Sequence, residues 1–283
     1  MASPCVALAT WSTRLPLADE EDALVADALR VLGIEVQRPV WDRDAIEADL
    51  CVIRTTWDYV ERLDKFLAWV AASERARPLW NPGDVIRWNT HKRYLLDLDA
   101  RGVPVPETVL ASHADPVRTA LDRGWSRVMI KPAVGVGAIG SLAADVADET
   151  RIREHVADLA HRGDVLLQEY ITSVHTAGES SLVFFDGVLS HAVRKIPAKG
   201  DYRAHPYWGA TVSPLSPSNA QLDAALAAIR AVPRPPLYAR VDLLERDDGA
   251  PLLIELELIE PYLFLDATTA RTFARAIAER VSR

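Results

Sequence analysis

Three carboxylates near the end of the sequence form the pattern with the clearest chemistry. Asp242 follows Arg240 by two positions, and Glu255 and Glu257 alternate along the apolar run of residues 251–258. Because side chains two positions apart on a strand share a face, the two glutamates would lie side by side. Convergent carboxylate oxygens suit Mg²⁺, which keeps phosphate oxygens in its coordination shell. The pattern predicts a metal site that serves a nucleotide, with an exposed acidic edge strand as the alternative.

A lysine followed by glycines forms a second candidate site. Lys131-Pro132 precedes Gly135-Val-Gly137-Ala-Ile-Gly140, which matches the GxGxxG pattern of dinucleotide-binding folds. That pattern requires a helix that begins within the glycines, whereas an extended run follows here. No Gly-Lys-Ser or Gly-Lys-Thr occurs, so a Walker A loop is excluded. The remaining interpretations are a hairpin tip whose backbone N–H groups and lysine hold phosphate oxygens, and a mobile surface hairpin.

Cationic residues elsewhere could contact phosphate or substrate groups. Arg194-Lys195 and Arg203 lie between the glycine-rich segment and the carboxylates, and a guanidinium suits a phosphoryl group or an acyl phosphate. Arg54 and Asp58 lie just past a predicted parallel strand, where ligands bind in open α/β sheets. They are candidates for binding the carboxylate and amine of a small amino-acid-like substrate, with a capped loop as the alternative.

Three segments are expected to position these groups, and together they predict an α/β fold that is α+β in part. Residues 1–87 alternate strands and helices, which predicts a parallel-sheet domain. Residues 88–166 begin with a helix predicted over 89–100 and continue as a small antiparallel lid domain. Residues 167–283 are expected to form a second antiparallel sheet that carries the metal site, with a long polar segment over 195–219.

Composition narrows the class of partner. The net charge of −8 and the scattered arrangement of the 32 Lys and Arg residues oppose nucleic-acid binding. No apolar stretch reaches membrane-spanning length, so no membrane partner is expected. The two cysteines, Cys5 and Cys51, cannot form a disulfide framework, which favours the cytoplasm. A small-molecule substrate is therefore the expected partner, and a homodimer stays open.

Four segments in sequence order resemble the ATP-grasp superfamily, in its glutathione-synthetase-like branch. They are residues 89–92, 128–132, 168–171 and 254–257, and the resemblance covers residues 88–266. It implies ATP-grasp architecture, with an N-terminal parallel-sheet domain, a central lid and a C-terminal antiparallel sheet. It also implies ATP and Mg²⁺ as cofactors.

The same resemblance implies roles for individual residues. Lys92 and Lys131 would bind the phosphates of ATP beneath Gly135 and Gly137, and Arg203 would act with Lys131 in catalysis by stabilising the developing phosphoryl charge. The hinge that reads the adenine is expected at four consecutive residues, Gln168, Glu169, Tyr170 and Ile171.

Further roles implied by the resemblance concern the ribose and the metal. Glu179 would bind the ribose hydroxyls, with Glu169 as the alternative, and either Arg194 or Lys195 would contact the nucleotide. Much of the superfamily has asparagine as its last metal ligand. Glu257 is therefore a departure that favours a second metal ion or tighter binding of the first.

The implied reaction is ATP-dependent activation of a carboxylate as an acyl phosphate, which a nitrogen nucleophile then attacks. Within the superfamily, the segments around Trp57-Asp58, Tyr207-Trp208-Gly209 and residues 255–261 resemble cyclo-ligases that close O-ureido-D-serine to D-cycloserine. Glu260 would contact that substrate. Two alternatives stay open: a ligase that joins two separate substrates, and a non-catalytic ATP-binding regulator.

Overall fold

Three β-sheets, each with its own helices, follow one another along the chain. The structure is a computed structural model that describes residues 3–13, 16–111 and 114–281. Within these ranges, none of the helices combines the length and apolar character needed to cross a membrane. The mixed α/β architecture confirms the predicted fold class.

The first sheet is parallel, with strand order β2-β1-β3-β4. Its strands are β1 (Cys5–Thr10), β2 (Glu35–Gln37), β3 (Leu50–Thr55) and β4 (Leu79–Trp80). Helices α1 (Pro16–Val31) and α2 (Leu63–Ala76) connect them, and a short 3-10 helix, Trp57–Glu61, follows β3. Strand β3 is buried at every position, as expected for a strand of a parallel sheet that is covered on both faces. The residues that follow β3 lie at the carboxyl edge of this sheet.

The second sheet is antiparallel, with strand order β5-β8-β6-β7. Its strands are β5 (Thr108–Leu110), β6 (Arg127–Pro132), β7 (Leu142–Asp145) and β8 (Val165–Glu169). Helices α5 (Pro116–Asp122) and α6 (Glu149–Ala160) share a core with them. Residues 133–141, hereafter the glycine-rich segment, join β6 to β7. The predicted domain boundary at 166/167 falls within β8, which pairs with β5 and β6.

The third sheet is also antiparallel, with strand order β11-β10-β9-β12-β13. Its strands are β9 (Glu179–Phe185), β10 (Val188–Ile196), β11 (Thr211–Pro214), β12 (Tyr238–Glu245) and β13 (Pro251–Glu257). Residues 195–219, predicted as one polar segment, contain the end of β10, the 3-10 helix Pro206–Trp208 and strand β11. Helix α7 (Asn219–Arg230) packs on β13, and α8 (Ala267–Val281) packs on α1. The first and third sheets thereby share one core.

The helix predicted over residues 89–100 is wrong. Two helices, α3 (Gly83–Asn89) and α4 (Tyr94–Asp99), occupy this region, and a turn separates them. The Asn89 side chain donates to Leu256 O at 2.8 Å and accepts from Leu258 N at 3.0 Å, so it continues the backbone pairing of β13. The Lys92 N–H donates to Ala133 O at 2.7 Å. These long-range bonds interrupt the helix and place Lys92 in the turn.

Candidate active site

Most of the residues predicted to bind ATP line one cleft. The hinge residues that end β8 and follow it form part of its lining, and the glycine-rich segment forms another part. The predicted residues that line the cleft are Lys92, Lys131, Gly135, Gly137, Gln168, Glu169, Tyr170, Ile171, Glu179, Arg203 and Glu255. Segments far apart in the sequence thus converge on one cavity.

Three carboxylates meet where β12 pairs with β13. Asp242 lies directly opposite Glu255, and Arg240 lies opposite Glu257. One oxygen from each of Asp242, Glu255 and Glu257 lies within 4.8 Å of the others. The three groups offer only hard oxygen ligands, so the donor set fits Mg²⁺. Sequence reasoning missed Ser181, whose Oγ donates to Asp242 Oδ1 at 2.5 Å and orients that carboxylate.

Burial and neighbouring charges shift the pKa values of two of these carboxylates in opposite directions. Burial raises the pKa of Asp242, but the charges of Arg240 and Lys195 outweigh it, and the net pKa lies well below the usual range. Burial, reinforced by Glu255 and Asp242, raises the pKa of Glu257 to about 7 despite Arg240. A bound cation would favour the ionised form of Glu257.

The two lysines predicted to bind phosphate differ in their partners. Lys92 Nζ lies 2.7 Å from Glu255 Oε1 and donates to Gly135 O at 3.0 Å. Lys131 lies in β6, and among the described residues no carboxylate lies within ion-pair distance of its Nζ. Burial, reinforced by the charge of Lys92, lowers the pKa of Lys131, and the opposing charge of Glu255 does not outweigh it. A phosphate group would supply an adjacent anion.

Glu179 and Lys195 face each other across β9 and β10 and form an ion pair. Lys195 Nζ also lies 3.7 Å from Asp242 Oδ1, which connects this pair to the carboxylates. Neighbouring strand residues point to opposite faces, so Arg194 faces away from Glu179. Of the two alternatives, Lys195 is the one beside the carboxylates. Glu179 and Glu169 both line the cleft, and the ribose assignment stays a prediction.

The hinge region combines a polar edge with an apolar surface. Gln168 Nε2 donates to Thr108 Oγ1 at 2.7 Å, and Tyr170 Oη and His175 Nε2 lie 2.6 Å apart. Ile171 packs in a small apolar cluster with Leu244 and other side chains. An apolar surface beside a strand edge suits a flat heteroaromatic base such as adenine.

Arg203 lines the cleft and is held there by an acid and an aromatic ring. Its Nε and Nη2 donate to Asp201 at 2.9 and 2.6 Å, and its guanidinium lies 3.6 Å from the ring centre of Trp208. The hydrogen bonds from Arg203 lower the pKa of Asp201 to about 2, so the pair stays ionised. The sequence predicts no role for Trp208 beyond its place in the segment Tyr207-Trp208-Gly209. The signal that could have singled it out is a large aromatic residue within a polar segment.

The prediction that Arg54 binds the substrate is wrong. Its side chain is 1% exposed and donates to Asp22 Oδ1 at 3.1 Å, Glu21 Oε2 at 3.3 Å and Pro261 O at 3.3 Å. Both charges that face it come from α1, so the guanidinium is neutralised inside the protein. Asp58 accepts from Trp41 Nε1 at 2.7 Å and from Arg62, so its carboxylate is also paired within the protein, although it caps neither the 3-10 helix nor α2.

Glu260 lies close to the carboxylates and has a different environment. Its backbone oxygen accepts from Trp57 Nε1 at 2.8 Å, and within the described part of the chain its carboxylate forms no ion pair. Burial, reinforced by Glu257, raises the pKa of Glu260 to about 8. A cationic group from a ligand would find a complementary site here.

Comparisons with known proteins cover nearly all of the chain. Residues 6–81 match the model for the N-terminal domain of D-cycloserine synthetase DcsG, and residues 90–262 match the RimK-like ATP-grasp domain. The cycloserine biosynthesis protein DcsG of Streptomyces lavendulae is 33% identical over 98% of both chains. A probable alpha-L-glutamate ligase of Vibrio cholerae is 29% identical, over 66% of this chain and 60% of its own length.

Solved structures agree with these matches. The crystal structure of D-cycloserine synthetase DcsG superposes with a TM-score of 0.87 at 31% identity, covering 98% of this chain and 99% of the other. D-alanine–D-alanine ligase from Bacillus anthracis superposes with a TM-score of 0.75 at 16% identity, covering 100% and 98%. At that identity the second likeness concerns the fold alone.

Proposed function

The chain belongs to the RimK-like ATP-grasp family, and on that premise we propose that it is a cyclo-ligase that closes O-ureido-D-serine to D-cycloserine. As a family member it is an ATP-dependent ligase that forms a C–N bond, rather than a non-catalytic ATP-binding regulator. The observation that carries the narrower proposal is that the likeness to DcsG extends through the first sheet, over residues 6–81, as well as the ATP-grasp region.

The charges around the cleft support phosphoryl transfer to a carboxylate. A carboxylate is a poor electrophile, and transfer of the γ-phosphoryl group to it gives an acyl phosphate and ADP. Lys92, Lys131 and Arg203 would neutralise the phosphate oxygens during this step. Asp242, Glu255 and Glu257 would hold Mg²⁺, which when bound supplies further positive charge to the phosphate oxygens.

Ring closure requires a nitrogen of the same molecule near the activated carbonyl. The oxyamine nitrogen attacks the acyl carbon, phosphate leaves, and the carbamoyl group is lost by hydrolysis as carbon dioxide and ammonia. Intramolecular attack gains an effective molarity of about 10⁵ M or more once the groups are aligned. A site for one small substrate therefore suffices. We assign the substrate's ammonium group to Glu260, whose buried carboxylate lacks a protein cation within ion-pair distance among the described residues.

The test compares one substrate with two. The protein is supplied with ATP and Mg²⁺, and ADP and product are measured with O-ureido-D-serine alone, or with D-serine or D-alanine plus a free amine. The proposal expects equal amounts of ADP and D-cycloserine from the ureido compound alone. O-Ureido-L-serine tests whether the site selects the D configuration.

The opposite result would support a ligase that joins two substrates, as the name of the Vibrio cholerae relative indicates for that protein. If the ureido compound is inert while a free amine is ligated, ring closure is wrong and ATP-grasp ligation remains. Glu260→Gln sharpens the assignment of the ammonium site. It should raise KM for the amino-acid substrate and leave KM for ATP near the wild-type value.

A further inference from the structure

Residues 202–208 contact the glycine-rich segment at two points. Trp208 Nε1 donates to Gly137 O at 2.9 Å, and Tyr202 Oη donates to Ser141 O at 2.7 Å. Both acceptors are backbone carbonyls of the segment that joins β6 to β7. The two hydrogen bonds therefore restrain the backbone of the glycine-rich segment, one at its middle and one at its end.

The same indole ring that reaches Gly137 also supports Arg203. The Arg203 guanidinium lies 3.6 Å from the centre of the Trp208 ring, within the range of a cation–π contact. Asp201 accepts hydrogen bonds from Nε and Nη2 of the same guanidinium. Trp208 thus contacts both the glycine-rich segment and Arg203, and both of them line the cleft.

We propose that Trp208 is a positioning residue that latches the glycine-rich segment and, through the same ring, fixes Arg203, so that the acyl phosphate forms only beneath a closed segment. This inference rests on the proposed ligase function but not on the identity of the carboxylate. If the latch opens early, water attacks the carbonyl carbon of the acyl phosphate. The C–O bond to the phosphate then breaks, orthophosphate leaves, and the carboxylate is regenerated, so the net reaction is hydrolysis of ATP to ADP and phosphate.

The first test uses nucleotide alone. Trp208→Phe keeps an aromatic ring under Arg203 but removes the N–H that Gly137 accepts, and Trp208→Leu removes both. Hydrogen–deuterium exchange is followed over residues 133–141 with the ATP analogue AMPPNP and MgCl₂. Losing one hydrogen bond should shift the segment about fivefold toward the open form. Exchange over residues 165–171 should stay at the wild-type rate.

Trp125→Phe is the matched control. Trp125 lies in the second sheet's core, its Nε1 donates to Glu107 Oε2 at 3.2 Å, and the Arg123 guanidinium lies 5.6 Å from its ring centre. The substitution therefore also removes an indole N–H hydrogen bond beside an arginine, here to a carboxylate and away from the glycine-rich segment. It should leave exchange over residues 133–141 unchanged.

The second test measures how tightly ATP consumption is coupled to product formation. The wild-type protein should release one ADP per product molecule, Trp208→Phe should release more ADP than product, and Trp208→Leu should be the most uncoupled. Tyr202→Phe should produce a smaller effect of the same kind. Unchanged exchange over residues 133–141 together with a ratio of one in Trp208→Phe would overturn the latch. If the wild-type protein forms no product from O-ureido-D-serine, the proposed substrate fails, while the exchange experiment still decides the role of Trp208.

Discussion

Lys92 Nζ lies 2.7 Å from Glu255 Oε1, so one ammonium connects the turn between α3 and α4 to the carboxylates of β12 and β13. Burial lowers the pKa of Lys92, but the ion pair with Glu255 and the charges of Glu257 and Glu260 together outweigh it, and the net pKa is raised. Burial raises the pKa of Glu255, but Lys92 and Lys131 outweigh it, and the net pKa is lowered. Both groups stay charged at neutral pH, and Glu255 can offer an ionised oxygen to a cation.

Glu255→Gln should nearly abolish turnover. The change removes a charged ligand from the proposed Mg²⁺ site and leaves Lys92 without its ion-pair partner. We expect kcat to fall by about 10²-fold or more at saturating Mg²⁺, measured as ADP release. Glu245→Gln is the control, because Glu245 lies at the far end of β12, opposite Pro251. Wild-type activity in a correctly folded Glu255→Gln protein would contradict the metal assignment.

Lys131→Ala should weaken ATP binding without unfolding the protein. The wild-type lysine is half-buried, and no carboxylate of the described residues lies within ion-pair distance, so its charge is available to phosphate. Losing a charge-assisted hydrogen bond should raise Kd for ATP by about 10- to 100-fold in calorimetry. The control is Lys199→Ala, at an exposed lysine outside the cleft. An unchanged Kd for Lys131→Ala would refute the phosphate role.

His205 should stay neutral well below neutral pH. Its Nδ1 accepts from Tyr207 N at 3.1 Å, and burial, helped by Arg240 and Lys195, lowers its pKa to about 4. In the unfolded chain the pKa of this histidine is about 6.5, so the unfolded state binds more protons than the folded state between about pH 4 and pH 6.5. The contribution of His205 to stability is therefore present above about pH 6.5 and lost as the pH falls through about 4. NMR titration of the imidazole checks this, and a midpoint above pH 6 would contradict it.

Local patterns in the sequence account for much of the fold and the site. Period-two spacing placed Glu255 and Glu257 on one strand, and the structure brings them within reach of Asp242. The glycine-rich hairpin was also predictable, because glycines and flanking extended runs act over short distances. The sequence predicts Lys92 on a helix, whereas the structure has it in a turn. Local patterns could not show this, because the hydrogen bonds of Asn89 that interrupt the helix involve residues more than 160 positions away.

Arg54 illustrates what local patterns cannot supply. The end of a parallel strand was a sound place to look for a ligand-binding residue, and the strand itself was predicted correctly. The carboxylates that neutralise Arg54 lie 32 and 33 positions away on α1, and its carbonyl partner, Pro261, lies 207 positions away. Only tertiary packing brings them together, so the composition of the loop alone could not reveal an internal ion pair.

Arg54→Leu should therefore destabilise the protein rather than weaken substrate binding selectively. The substitution leaves buried Glu21 without its guanidinium partner and leaves Asp22 paired with Arg38 but not with Arg54, which should lower the free energy of unfolding by about 3–5 kcal/mol in urea titrations. Arg30→Leu is the control, because Arg30 pairs with Asp27 on the exposed side of α1 and should contribute less than about 1 kcal/mol. In the folded fraction, KM for the carboxylate substrate should stay near the wild-type value. Unchanged stability combined with a tenfold or larger rise in that KM would restore Arg54 as a substrate-binding residue, because a group that neutralises only internal charges has no direct means of changing KM.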